Sequence, residues 1–306
     1  MPSIEPILAL VGPTGSGKTA LSLHLAARLD AEIVNCDSRQ VFRYLDIGTA
    51  KPTAAERSAV PHHCFDLVDP DQPFDCGRYR EHAAAAIADI RGRGKRVVLV
   101  GGSGLYLKAL RYGLALAPRR DAALRATLTA LEEATPGTLH ARLAVLDPAA
   151  AARLHPHDRV RLVRAVEVCE LSGRPLSAVQ AAHGFRASEF DCRVLGLRME
   201  RAALYARLDA RCQRMVDAGL IDEVRAVWQR GFGPNLPPLR SIGYREIGEH
   251  LRGRRELPGA IAAMQRATRQ FAKRQLTWFR ADPTVEWIDP ESTTIETILR
   301  GEAGRQ

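Results

Sequence analysis

Three short, largely apolar runs punctuate the first hundred residues, at 7–11, 33–36 and 97–100, with Asn35 the one polar residue within them. Short apolar runs bounded by turn-forming residues predict strands buried on both faces, as in a parallel sheet. After the first run Leu21, Leu25 and Leu29 recur at helical spacing and share one face. The alanine-rich stretch 79–91 predicts a helix between the second and third strands. Strands alternating with helices predict an α/β fold, a doubly wound parallel sheet whose ligand crevice lies at the strand carboxyl ends.

From Pro118 onward the texture changes to Ala, Leu and Arg, with no strand-like run until 193–197. Residues 119–188 therefore predict an all-helical insertion between two parts of the core, 1–118 and 189–306. Within it a helix starts near Asp158 and stops at Ser172-Gly173-Arg174-Pro175. Further helices are expected over 201–230 and 257–280, and residues 301–306 read as a frayed tail. On the last helix Arg266, Arg269, Lys273 and Arg280 form a basic stripe, with Ala267, Phe271 and Trp278 turned away and the aromatics expected in the core.

The first strand runs into Gly12-Pro13-Thr14-Gly15-Ser16-Gly17-Lys18-Thr19, a G-x-x-x-x-G-K-[ST] loop between strand and helix. Its glycines let consecutive backbone N–H groups turn toward one anion, and the helix N-terminus adds its positive dipole end. Lys18 supplies a point charge and the Thr19 hydroxyl a ligand for Mg²⁺. The fold class is thus a P-loop NTPase-like parallel sheet flanked by helices, and the ligand carries a diphosphate or triphosphate. The loop does not name the molecule bearing the phosphates. A nucleotide hydrolase would show an acid at the end of the third strand, but that strand meets Gly101-Gly102-Ser103, and the strand-end acid is Asp37.

Charge points to a polyanionic partner: 44 basic against 35 acidic residues leave a net +9. Six scattered cysteines without a CxxC pair indicate neither a zinc ribbon nor a disulfide framework. No run approaches the roughly 18 apolar residues of a membrane span, so a cytoplasmic protein is expected, with no membrane partner, no obligate protein partner and a monomeric state.

The loop, Asp37-Ser38-Arg39-Gln40-Val41-Phe42, Asp46-Ile47-Gly48-Thr49-Ala50-Lys51-Pro52 and Gly101-Gly102-Ser103-Gly104-Leu105-Tyr106 together resemble the bacterial tRNA dimethylallyltransferases, also called tRNA isopentenylpyrophosphate transferases. The likeness continues through Pro61-His62-His63, Asp66-Leu67-Val68-Asp69-Pro70, Ser241-Ile242-Gly243-Tyr244-Arg245 and 269–280, and so spans nearly the whole chain. Phe42 stands where the family commonly has Tyr, and Ser103 where it commonly has Thr.

The resemblance implies that the loop holds the diphosphate of dimethylallyl diphosphate, and that the prenyl group passes to N6 of the adenine 3′-adjacent to the anticodon in tRNA. By carry-over Asp37 is the general base, Arg211 the arginine facing the leaving diphosphate, and Ser103 a group near the bridging oxygen or beside Asp37. The tRNA anticodon stem-loop is expected to meet Asp37, Ser38, Arg39, Gln40, Ser103, Arg125, residues Val160, Arg161, Leu162, Val163 and Arg164, and residues Arg240, Ser241, Ile242, Gly243, Tyr244 and Arg245. The competing readings are a P-loop nucleoside or nucleotide kinase, and a nucleotide-gated RNA-binding protein without chemistry.

Overall fold

In the computed structural model the structure describes residues 5–184, 188–290 and 292–303, the last three for the backbone alone. Six parallel strands form one sheet in the order β3-β2-β4-β1-β5-β6. They are β1 (Ile7–Val11), β2 (Ala31–Asn35), β3 (His62–His63), β4 (Arg96–Val100), β5 (Cys192–Leu197) and β6 (Val285–Ile288). The strands β1 and β2 are buried at every position; β1 is accordingly apolar without alternation, while β2 carries the buried polar Glu32 and Asn35 beside Ile33 and Val34. Leu8 and Leu10 pack against one helical layer with Leu25, while Ile7, Ala9 and Val11 pack against the other with Ile87 and Phe279.

Central strands β1, β4 and β2 are neighbours, so their carboxyl ends bring the residues that follow them to one sheet edge. Gly101 N donates to Leu10 O at 3.1 Å and Cys36 N to Val100 O at 2.7 Å. A side chain at Gly101 has no room, since a Cβ there would stand 1.9 Å from Cys36 O.

The chain divides into two compact units, one made of Met1–Arg111 with Glu189–Gln306, the other of Tyr112–Ser188. Among its described residues the second has helices and no strand, and its core gathers Leu128, Leu139, Leu143, Leu162, Val163 and Val166. One of its helices spans Arg159–Ser172, with the Asp158 carboxylate accepting from Arg161 N and left-handed Gly173 closing it.

Several local expectations change. The stretch 201–230 is two helices, Arg201–Asp217 and Leu220–Gln229, because Gly219 at φ 100° turns the chain and buries Leu220. Residues 301–303 continue the helix Ile295–Ala303 rather than fraying, and 304–306 lie outside the described residues. Trp278 is not a core residue: it is 44% exposed and packs against Gly104, whose missing Cβ would meet Trp278 Nε1 at 1.9 Å. Phe42 packs its ring in the core beside Val41 and Leu45.

Candidate active site

The loop 12–19 bends through positive φ at Gly12, Gly15 and Gly17, a backbone that favours glycine at each. Gly12 is also sterically required, because a Cβ would lie 2.8 Å from Leu197 O on the neighbouring strand. Lys18, opening the helix Lys18–Leu29, donates to Gly12 O at 3.0 Å and Pro13 O at 2.7 Å. Burial and then the Arg211 charge bring the Lys18 ammonium down to about 7, against an opposing pull from Asp37. Burial also lowers Arg211. Two cations thus share one carboxylate, an arrangement that favours an anion.

Two cavities open at this sheet edge. The loop-side cavity, about 430 Å³, is lined by Thr14, Gly15, Gly17, Lys18, Thr19, Asp37, Gln40 and Arg211. The adjoining cavity, about 340 Å³, is lined by Thr14, Asp37, Arg39, Arg211, Arg240, Ser241, Ile242, Arg245 and the apolar Met215, Met264 and Phe271. Thr14, Asp37, Thr49 and Arg211 belong to both. Gly12, Pro13 and Ser16 do not line either cavity; the Ser16 hydroxyl is buried without a hydrogen-bond partner among the described residues.

Asp37 is held in an Asx turn: its Oδ1 accepts from Arg39 N at 2.8 Å, and its own N–H donates to Asn35 Oδ1 at 3.1 Å. Ser103 reaches the same turn, its Oγ accepting from Ser38 N at 2.9 Å, so it positions the residue after Asp37. Arg211 Nη1 donates to Thr14 Oγ1 at 3.2 Å, which ties the helix Arg201–Asp217 to the loop. Gln40 Nε2 donates to Thr49 O and Ala50 O at 3.0 and 3.1 Å and so holds the 46–52 motif in place.

That motif is folded around one buried charge, Lys51, and one half-buried charge, Glu223. Lys51, its side chain 1% exposed, donates to Phe42 O and to the carboxylates of Asp46 and Asp66. On the other side Glu223 accepts the consecutive N–H groups of Asp46, Ile47 and Gly48. Neither Glu223 nor Gln275 was anticipated as part of this site. Gln275 on the helix Leu257–Arg280 bonds the loop at Thr14. The available signal was a lone polar residue on an apolar stripe, between buried Ala272 and Phe279.

Of the segments expected to meet RNA, Arg39 and Arg240 are exposed at the adjoining cavity, and Arg245 there also pairs with Glu246. Gly243 and Tyr244 are buried, with the Tyr244 hydroxyl turned to Glu223. In the helical unit Val160 is 74% exposed and Arg161 faces outward near Asp158. Leu162 and Val163, by contrast, are core residues, which takes their side chains away from any surface. Arg125 and Arg164 converge on the fully buried Glu167 at 3.1 and 2.8 Å. Burial alone would raise Glu167, but Arg164 and the Asp121 amide hold it below the usual carboxylate range.

A family model described as IPP transferase matches residues 40–282. A tRNA dimethylallyltransferase of Geobacter metallireducens is 50% identical over 287 residues, 92% of either chain, and one of Pelobacter propionicus is 48% identical over 98% of this chain and 97% of its own. Among solved structures, the full-length tRNA isopentenylpyrophosphate transferase of Bacillus halodurans superposes with a TM-score of 0.71 at 37% identity, covering 99% of this chain and 96% of that one. A eukaryotic dimethylallyltransferase acting on tRNA superposes with a TM-score of 0.81 at 28% identity, over 99% of this chain and 77% of its own. On the strength of that match and of relatives near half identical from end to end, this chain belongs to the IPP transferase family.

Proposed function

We propose that the protein transfers a dimethylallyl group from dimethylallyl diphosphate to N6 of the adenine 3′-adjacent to the anticodon in tRNA. The observation that carries this reading is that Asp37 and Arg211 stand in the wall common to an anion cradle and a partly apolar cavity. The diphosphate is held by the N–H groups of 15–19 and by Lys18, and the allyl chain extends toward Met215, Met264 and Phe271. As the allylic C–O bond breaks, negative charge grows on the departing diphosphate, where Lys18 and Arg211 stabilise it more than in the ground state. The N6 nitrogen forms the new bond to carbon, and Asp37 takes the N6 proton. Ser103 keeps the Asp37 turn in place.

The residues present suit Mg²⁺, an ion that keeps its waters and is held by substrate phosphates with few protein oxygens. Thr19, whose hydroxyl would be the protein ligand, lines the cradle together with Asp37. When bound, Mg²⁺ neutralises charge on the diphosphate oxygens.

The adenine reaches the site unstacked, which costs less in a hairpin loop than in a duplex. Arg39, Arg240 and Arg245 contact the loop around it, and Arg161 with Val160 gives the helical unit an RNA-facing surface. The protein works in the cytoplasm as a monomer.

The test incubates protein, Mg²⁺, dimethylallyl diphosphate and an anticodon stem-loop containing the adenine, and weighs the RNA. A gain of one prenyl unit is expected. No gain, with phosphate transfer from ATP to a nucleoside instead, would replace this reading with a kinase.

A further inference from the structure

Gln275 is 5% exposed, and both ends of its carboxamide are engaged. Its Oε1 accepts from Thr14 N at 2.8 Å, and its Nε2 donates to Gly102 O at 3.0 Å. The second bond decides which end faces the loop, since the reversed amide would set donor against donor at Thr14 and acceptor against acceptor at Gly102. Gly102 closes the fit: a Cβ there would stand 2.0 Å from Gln275 Nε2.

In a loop of this kind the successive backbone N–H groups are the donors for a bound anion. Thr14 is the loop residue that reaches both cavities, whereas Gly15, Gly17, Lys18 and Thr19 line the loop-side one. Its N–H is therefore the donor at the open end of the row, and a carbonyl oxygen from a helix remote in sequence is already seated on it. A third phosphoryl group extending that way would find a lone pair where the row should offer a proton.

We infer that Gln275 is a specificity-determining residue that ends the donor row at Gly15, so that the cradle favours a diphosphate over a triphosphate. The inference rests on the diphosphate-cradle reading given above.

Calorimetric titration of the full-length protein with inorganic diphosphate and inorganic triphosphate, each with Mg²⁺, tests it through the ratio of the two affinities. Gln275→Leu frees the Thr14 N–H and is expected to shift that ratio toward triphosphate by roughly tenfold, the worth of one hydrogen bond to a charged group. An unchanged ratio in a variant that still binds both anions overturns the inference and leaves the cradle reading intact. Should Gln275→Leu lose cooperative melting, Gln275→Glu serves: it keeps an acceptor for Thr14 and adds charge at the end of the row. It should then weaken triphosphate more than diphosphate, and equal weakening overturns the inference. If the parent protein binds neither anion, the cradle reading itself falls.

Discussion

The Tyr244 hydroxyl donates to Glu223 Oε1 at 2.5 Å, while the same carboxylate accepts from the N–H groups of Asp46, Ile47 and Gly48 at 3.0, 2.7 and 3.1 Å. Burial, followed by the Glu223 charge, pushes the Tyr244 phenol well up, so it remains a donor at any physiological pH. The ring of Tyr244 lies against Gly48, where a Cβ would come within 2.4 Å of it. One carboxylate and one phenol thereby shape the loop whose Gly48 and Thr49 line the adjoining cavity.

Glu223→Ala leaves three amides and a buried phenol without their acceptor, so a loss of about 3 kcal/mol in unfolding free energy is expected. Glu223→Gln, which keeps one acceptor oxygen, should lose less. Hydrogen exchange at the Ile47 and Gly48 amides reports the clamp directly. Parent-like protection in Glu223→Ala would show that other contacts hold the loop.

Asp37 has two separable duties, accepting from Arg39 N and, in the proposed reaction, taking the N6 proton. Asp37→Asn preserves an acceptor for the turn but removes the base, and should lower single-turnover prenyl transfer by roughly 10²- to 10⁴-fold. RNA affinity should stay close to that of the parent. Turnover within a few-fold of the parent would assign proton removal to another group.

The Lys18 ammonium titrates near 7 in the folded protein against an ordinary 10.5. Between those values the unfolded chain holds a proton that the folded one lacks, so this group's contribution to stability falls as pH drops from 10.5 toward 7. A bound diphosphate replaces that penalty with attraction and raises Lys18 again. Binding at pH near 8 should therefore take up protons, visible as a dependence of calorimetric enthalpy on buffer ionisation. Lys18→Arg, charged throughout, should bind without that uptake; the same uptake in this variant would assign the proton to a different site.

Arg161 and Arg164 stand three residues apart yet should behave differently. Arg164 bridges buried Glu167 and Pro118 O, so Arg164→Ala is expected to lower the melting temperature of the helical unit. Arg161→Ala should leave melting unchanged, weaken stem-loop binding and reduce its salt slope by about one. A stable Arg164→Ala variant with the larger RNA defect would reverse the assignment.

The strand, loop and helix of residues 7–29, the parallel character of the sheet and the helical nature of the 119–188 stretch were legible because they are written locally. An apolar run, a glycine spacing and a four-residue repeat each describe atoms a few bonds apart, and they constrain the backbone before any distant contact forms. The placement of Asp37 in the loop-side cavity followed from the same rule, since parallel strands deliver their carboxyl ends to one edge. The two-residue β3 and four-residue β6 left too short a pattern to read, and β3 is polar because it sits at the sheet margin.

What only the tertiary structure decided is which polar side chains turn inward, and toward what. Gln275 meets Thr14 across 261 positions and Glu223 meets Ile47 across 176, whereas Arg164, on a helix that reads as basic, turns to a buried glutamate three residues on. A buried polar group must find a partner or lose its hydrogen bond, but the composition of a segment does not say whether that partner is water, a neighbour one turn away or a backbone amide half the chain distant. That choice belongs to packing, where the apolar faces settle first and the polar atoms carried inside with them are matched to whatever the folded chain sets opposite.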